Sequence, residues 1–170
     1  AFGDGFVAIL LPVHLSLLGF EPLAVGAIST ATLLGSALLT IALGLSAHRV
    51  IRRRALLGAS ILMAATGFGF VFLEAFWPLL VIAFVGTLNP SSGDVSVFLP
   101  LEHTVLAQSA ASTDRTALFA RYSFVGSVVA ALGAMASGAV EWLSPWLDRS
   151  TAVDVFFAVY AVLGVLSFVL

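Results

Sequence analysis

Long apolar runs separated by short polar breaks constrain this chain more than any other feature of its sequence. Six runs are long enough to cross about 30 Å of hydrocarbon as helices, and they lie at residues 1–20, 22–46, 55–73, 78–100, 116–140 and 152–170. Open strands cannot satisfy their backbone groups in lipid, and the alternating pattern of a barrel strand is absent from the sequence. We therefore predict an all-α polytopic membrane protein, with six transmembrane helices in a single transmembrane domain over residues 1–170.

The composition agrees with this class and argues against several others. Hydrophobic residues make up 61% of the 170 positions and charged residues only 9%, against about 45–50% apolar residues in soluble domains. The sequence has no cysteine, and its three histidines form no ligand pair at helical spacing. Motifs of hydrolases and metalloproteases are also absent. We predict no metal, no cofactor, no catalytic residue and no nucleic-acid partner, and hence a protein that is not an enzyme.

A basic stretch at residues 44–54, GLSAHRVIRRR, lies between the second and third apolar runs and holds four of the seven Lys and Arg residues. Positive clusters beside membrane spans stay on the cytoplasmic side, and alternation then places the 102–115 loop on that side too. The opposite loops contain the acidic residues Glu21, Glu74, Glu141, Asp148 and Asp154. The first helix is therefore predicted to run from the cytoplasmic to the outer side.

Five residues of the basic stretch fall at the offsets of a motif written G-x-L-a-D-r-x-G-r-r: Gly44, Ala47, Arg49, Arg52 and Arg53. The stretch therefore resembles the loop between the second and third helices of the major facilitator superfamily. Three positions depart from the family pattern: Ser46 replaces Leu, His48 replaces Asp and Ile51 replaces Gly. The first two apolar runs are also similar to the family's opening helix pair.

The resemblance implies half of a twelve-helix bundle, built from two inverted three-helix repeats with the substrate path between the halves. It implies a gating loop formed by Gly44, His48, Arg49, Arg52 and Arg53. The Arg that many proton-coupled exporters have in the fourth helix would fall at Ile82 and is missing.

The implied function is secondary active transport of a small molecule by alternating access, with proton-coupled efflux as the candidate mode. The expected partners are the substrate, protons, the lipid bilayer and a missing C-terminal six-helix half. The expected location is the bacterial cytoplasmic (inner) membrane. Two alternatives stay open, a half-size transporter that dimerises and a channel-like six-helix membrane protein.

Two ionisable residues of the first helix are candidates for proton or substrate binding. Asp4 lies about 22 Å from the outer end of its helix, and intramembrane carboxylates usually face a cavity or a partner. A position at the interface, or a pairing with a basic residue, is the alternative for Asp4. His14 lies in the outer half of the helix, where it would line a cavity or make a packing hydrogen bond.

The fourth apolar run contains a polar insert, Asn89-Pro90-Ser91-Ser92-Gly93, that is followed by Asp94. Pro90 removes a backbone hydrogen bond, so we expect a kink there. Asp94 lies about 24 Å along this helix, near the cytoplasmic end that Arg121 also reaches. We predict a structural pair between Asp94 and Arg121; in the alternative, Asn89 and Asp94 line the substrate path.

Small residues recur four apart in two of the apolar runs. The second run has Ala27, Ala31 and Gly35 and, offset by one position, Ser36, Thr40 and Gly44, and the fifth run has Gly126, Ala130, Ala134 and Gly138. Such stripes let helix backbones approach closely in lipid. We predict that these two stripes mark helix interfaces.

Overall fold

A computed structural model describes residues 1–46, 52–86, 88 and 115–169. The described residues form helices joined by short connections: α1 Phe2–Leu17, α2 Pro22–Ser46, α3 Arg52–Phe72, α4 Phe76–Val85, α5 Arg115–Ala136, α6 Ala139–Leu143 and α7 Arg149–Val169. The predicted all-helical architecture is confirmed for this part of the chain.

Within the described ranges, three segments are long and apolar enough to cross a membrane: Pro22–Ala42, Arg115–Leu143 and Arg149–Val169. The second of these combines α5 and α6. Three shorter apolar helices accompany them: Phe2–Leu17, Leu56–Phe72 and Phe76–Val85.

The fourth helix is shorter than predicted. The sequence predicts a helix over 78–100, but α4 ends at Val85 and Gly86 adopts an extended conformation with φ −70° and ψ 178°. A side chain at Gly86 would meet the Thr66 side chain at about 2.5 Å, so α3 packs against the point where α4 stops. The carbonyl of Leu88, also outside any helix, accepts a 2.9 Å hydrogen bond from Ser36 Oγ of α2. The prediction of a helical conformation at Gly86 and Leu88 is therefore wrong.

The fifth predicted helix also differs in detail. It is interrupted at Ser137 and Gly138, where Ser137 Oγ donates to the Ala134 carbonyl at 2.6 Å and the Gly138 N–H bonds to the Met135 carbonyl at 3.1 Å. These bonds close a turn, after which α6 continues three residues beyond the predicted end at 140.

The helices pack mainly in three pairs, α3 with α7, α1 with α5 and α2 with α4, and α1 also contacts α7. Lipid is as apolar as the side chains, so close van der Waals packing stabilises such pairs. Aromatic rings fill the core where α1, α3 and α7 meet. Phe6 packs edge to face with Phe156 at 5.3 Å between ring centroids, and Phe70 stacks on Phe157 at 5.3 Å.

Glycines bring the paired helices into backbone contact. A Cβ at Gly67 of α3 would lie 2.7 Å from the Ala161 nitrogen of α7, and one at Gly164 of α7 would lie 2.6 Å from the Ala64 nitrogen of α3. Gly35 of α2 approaches the backbone of Phe84 in α4 in the same way. The stripe that contains Gly35 therefore lies in a helix interface, as predicted.

The contacts also give the relative directions of three helices. Gly3 near the start of α1 contacts Tyr160, whereas His14 near its end lies beside Asp154. Gly67 of α3 approaches Phe157, whereas Ser60 approaches Gly164. Both α1 and α3 therefore run antiparallel to α7.

Candidate functional site

His14 is a buried ionisable side chain of the core, with 3% of its surface exposed. The buried residues of α1 include Val7, Leu10 and Leu11, which precede His14 at helical spacing. His14 thus lies on the face of α1 that packs into the bundle. Its ring centroid is 4.9 Å from that of Phe157 in α7 and 6.2 Å from that of Phe70 in α3.

A carboxylate of α7 meets this imidazole. His14 Nδ1 lies 3.4 Å from Asp154 Oδ1, and the side chain of Asp154 keeps 33% of its surface exposed. Glu74, in the connection between α3 and α4, lies near enough to Asp154 to act on it electrostatically. The end of α1, the end of α3 and the start of α7 therefore converge on one histidine and two acidic residues, which we call the His14 cluster.

Two polar atoms of the His14 cluster are unsatisfied. His14 Nε2 and Asp154 Oδ1 are buried and have no hydrogen-bond partner among the residues that the structure describes. The backbone of Phe70 lies beside the imidazole. An unpaired buried polar group costs about 1–3 kcal/mol, so the pair gains from a shared proton or a bound water.

The chemistry available to the His14 cluster is proton exchange. An imidazole beside a carboxylate binds and releases protons readily. Within residues 1–46, 52–86, 88 and 115–169, no group of three or more His, Asp or Glu side chains is placed to hold a metal ion.

Asp4 does not join His14. The two residues are ten positions apart on α1, about 15 Å along the helix axis. The side chain of Asp4 is 17% exposed, and its carboxylate lies 2.9 Å from the amino group of Ala1. A coupling role for Asp4 stays a prediction.

The described residues that flank the predicted gating loop lie at the other end of the bundle. Gly44 is exposed near the end of α2, and Arg52 and Arg53 begin α3. His48 and Arg49 lie outside the described residues. The structure does not bring this loop to the His14 cluster, because the end of α2 lies away from the end of α1 that holds His14.

The predicted polar insert also lies outside the described residues, with both Asn89 and Asp94. Arg121 is described and lies exposed on α5. The structural pair of Asp94 with Arg121 therefore stays a prediction.

The sequence interpretation missed Asp154 and Glu74 as members of a site, since it placed both among the outer-loop acids. One signal was available for Asp154. It precedes the buried residues Phe157 and Ala161 by three and seven positions, which sets all three on one face of α7. No sequence pattern links Glu74 to His14.

A groove of about 670 Å³ lies apart from the His14 cluster, between α2 and α4. Its walls are almost entirely apolar, with Leu23, Ala27 and Leu34 on one side and Leu80 and Phe84 on the other. The groove offers no ionisable side chain, so we assign no chemistry to it.

Comparison with known proteins supports the membrane class that the apolar helices define. The chain is 30% identical over 129 residues to an uncharacterized membrane protein of Saccharomyces cerevisiae, YJR124C. The match covers 76% of this chain and 29% of the yeast protein, so the chain spans less than a third of the length of this relative. No protein-family model matches the chain, and no solved structure matches it. The chain is thus a transmembrane-helical protein with a relative among eukaryotic membrane proteins.

Proposed function

We propose that this chain is part of a secondary active transporter of the major facilitator type, which moves a small molecule across a membrane by alternating access. The observation that carries the proposal is the pairing of the helices. The proposed six spans are α1, α2, α3, α4, α5 and α7, taken as two repeats of three.

The three main pairs and the α1–α7 contact are kept when the first three spans are exchanged with the last three, whereas the α1–α2 contact has no comparable α4–α5 counterpart among the described residues. In this exchange α1 and α4 change places, as do α2 and α5, and α3 and α7. The α1–α5 pair then becomes α4–α2, the α1–α7 pair becomes α4–α3, and the α3–α7 pair stays the same. Each of these pairs is in contact. A repeat of three helices is odd in number, so the second copy crosses the membrane in the opposite direction, as in inverted-repeat transporters.

The contacts of α3 and α7 are compatible with this exchange, as the contacts of an antiparallel helix pair must be. Gly67 approaches Phe157 and Ala161, and Gly164 approaches Ser60 and Ala64. The corresponding residues of the two helices, Ser60 with Phe157, Ala64 with Ala161 and Gly67 with Gly164, are all separated by the same interval of 97 positions. Two helices related by a two-fold axis make contacts of this kind.

The α2–α4 and α1–α5 interfaces, which the exchange converts into each other, are also alike. Gly35 of α2 packs on the backbone of Phe84 in α4, and Gly133 of α5 packs on the backbone of Phe2 in α1. The antiparallel arrangement of α1 and α3 with α7 also fits six alternating spans. The greater length of the yeast relative leaves room for a second half, which the proposal requires as partner.

The proposal assigns three parts of the chain to transport. Asp4 and His14 of α1 lie along the path between the halves, and Asn89 and Asp94 follow α4 on the same path. The arginine-rich loop at residues 44–54 lies on the cytoplasmic side and acts in conformational switching. The yeast relative favours a eukaryotic membrane over the bacterial cytoplasmic membrane expected from the sequence.

Reconstitution of the full-length protein that contains this chain tests the proposal. Proteoliposomes are offered a panel of labelled small molecules, with and without a pH gradient. A transporter gives saturable uptake that is accelerated by unlabelled substrate on the opposite side. The variant Asp148→Asn serves as a control and should transport like the wild type, since Asp148 is exposed and precedes α7. Flux that is linear in solute concentration and shows no counterflow would favour the channel-like alternative and overturn the proposal.

A further inference from the structure

The His14 cluster joins three helices through a single buried imidazole. Its ring lies between Phe157 of α7 and Phe70 of α3, and its Nδ1 faces Asp154 at 3.4 Å. The remaining ring nitrogen, Nε2, is buried and has no hydrogen-bond partner among the described residues. Packing alone does not account for an imidazole there, because a phenyl ring would fill the same aromatic site without an unsatisfied nitrogen.

We propose that His14 and Asp154 together hold one exchangeable proton between α1 and α7, and that Glu74 lies at the mouth of the path by which this proton reaches the outer solution. Use of the proton for coupling rests on the transport function proposed above. Binding of the proton does not, since it depends only on the His14 cluster.

The other ionisable side chains that the structure describes at this end of the bundle, Glu21 among them, are exposed. Residues 22–46 of α2 and 76–85 of α4 contain no ionisable side chain. The two arginines of α5, Arg115 and Arg121, belong to the first third of that helix, away from its end near Glu141. Arg149 at the start of α7 is bound to Glu141 at 2.7 Å. Both are exposed, so this ion pair does not neutralise Asp154.

The proton has a defined path. In the charged pair, the Nδ1–H of the imidazolium donates toward the Asp154 carboxylate. Transfer of that proton leaves neutral imidazole and a carboxylic acid. Asp154 is partly exposed and within electrostatic range of Glu74, so its acid proton passes to Glu74 or to water, and the pair changes from zero net charge to −1. Uptake reverses these steps.

Titration of His14 in the full-length protein tests the inference. Nitrogen-15 histidine NMR in lipid nanodiscs follows the imidazole, and the His14 resonance is assigned by its loss in His14→Phe. We expect Asp154→Asn to lower the proton affinity of His14 by about tenfold or more, as expected for removal of a carboxylate within 4 Å. Glu74→Gln should also lower the proton affinity of His14, but by less. Asp148→Asn, which removes an exposed carboxylate at the same end of the bundle, should leave it unchanged.

The outcomes separate this inference from the transport proposal. An identical His14 titration in wild type and Asp154→Asn overturns the inference, even if the protein transports. A shifted titration supports it, even if every transport assay fails. Because Asn is close in size to Asp and Phe fits between Phe70 and Phe157, both variants should fold, and gel filtration with thermal unfolding checks this.

Discussion

Alanine at Gly67 should destabilise the bundle, although alanine is normally the better helix former. The added methyl group would lie 2.7 Å from the Ala161 nitrogen and 2.8 Å from the Phe157 oxygen. Both are backbone atoms that no side-chain rotation can move, so α3 and α7 must separate. Overpacking of this kind costs about 1–3 kcal/mol, and alanine recovers about 0.5–1 kcal/mol of helix propensity. We expect a net loss of about 1–2 kcal/mol in the free energy of unfolding.

Gly58→Ala supplies the matched control on the same helix. A Cβ at Gly58 meets no atom within 4 Å, so this variant should gain about 0.5–1 kcal/mol or stay unchanged. Gly164→Ala on the partner helix should cost as much as Gly67→Ala, because its methyl would lie 2.6 Å from the Ala64 nitrogen. The double variant should lose less than the sum, since the first substitution already separates both helices.

The assay is unfolding of the purified full-length protein in mixed detergent and sodium dodecyl sulfate micelles, followed by circular dichroism. The free energies of unfolding of Gly67→Ala and Gly58→Ala should therefore differ by about 2 kcal/mol. Equal stability of these two variants would refute the close crossing of α3 and α7. Strict additivity in the double variant would refute the shared separation of the two helices.

Three further predictions concern orientation and mechanism. Single-cysteine variants of this cysteine-free chain, at Arg52 and Ser144, should react with a membrane-impermeant thiol reagent from opposite sides of the membrane. Equal accessibility of both from outside would contradict the predicted orientation of the helices. Arg49→Ala should slow transport while substrate binding stays near normal, because the resemblance implies a gating loop far from a midplane cavity; lost binding in a folded variant would contradict this. Asp4→Asn should abolish accumulation against a gradient but retain exchange of bound substrate, and wild-type accumulation would move the coupling role to other residues.

Hydropathy predicted the helices well because apolar length is what a lipid environment selects. It failed at the end of α4, since residues 79–85 and 95–100 are both largely apolar and a hydropathy window runs across the residues between them. The packing of Gly86 on Thr66 and the hydrogen bond from Ser36 to Leu88 determine that end. Both contacts join residues far apart in the chain.

The small-residue stripes predicted interfaces only in part. Gly35 lies at the α2–α4 contact and Ala130 at the contact with Gly5, but a Cβ at Gly44 or Gly126 would meet nothing within 4 Å. The periodicity gives the face of a helix that suits close packing, whereas the crossing point is fixed by the partner helix. The tightest α3–α7 contacts therefore fell on glycines outside either predicted stripe.

The proposed repeats share their packing but not their ionisable residues. The interval of 97 positions that relates α3 to α7 pairs Asp154 with Leu57, so the carboxylate that faces His14 has an apolar counterpart in the other repeat. Selection for packing alone would leave apolar residues at both positions, because a carboxylate within a membrane bundle is costly unless it has a partner. The partner of Asp154 is His14 of α1, a helix of the opposite repeat. The pair therefore links the two proposed repeats where their symmetry is broken, and a change in its protonation alters the electrostatic attraction between α1 and α7.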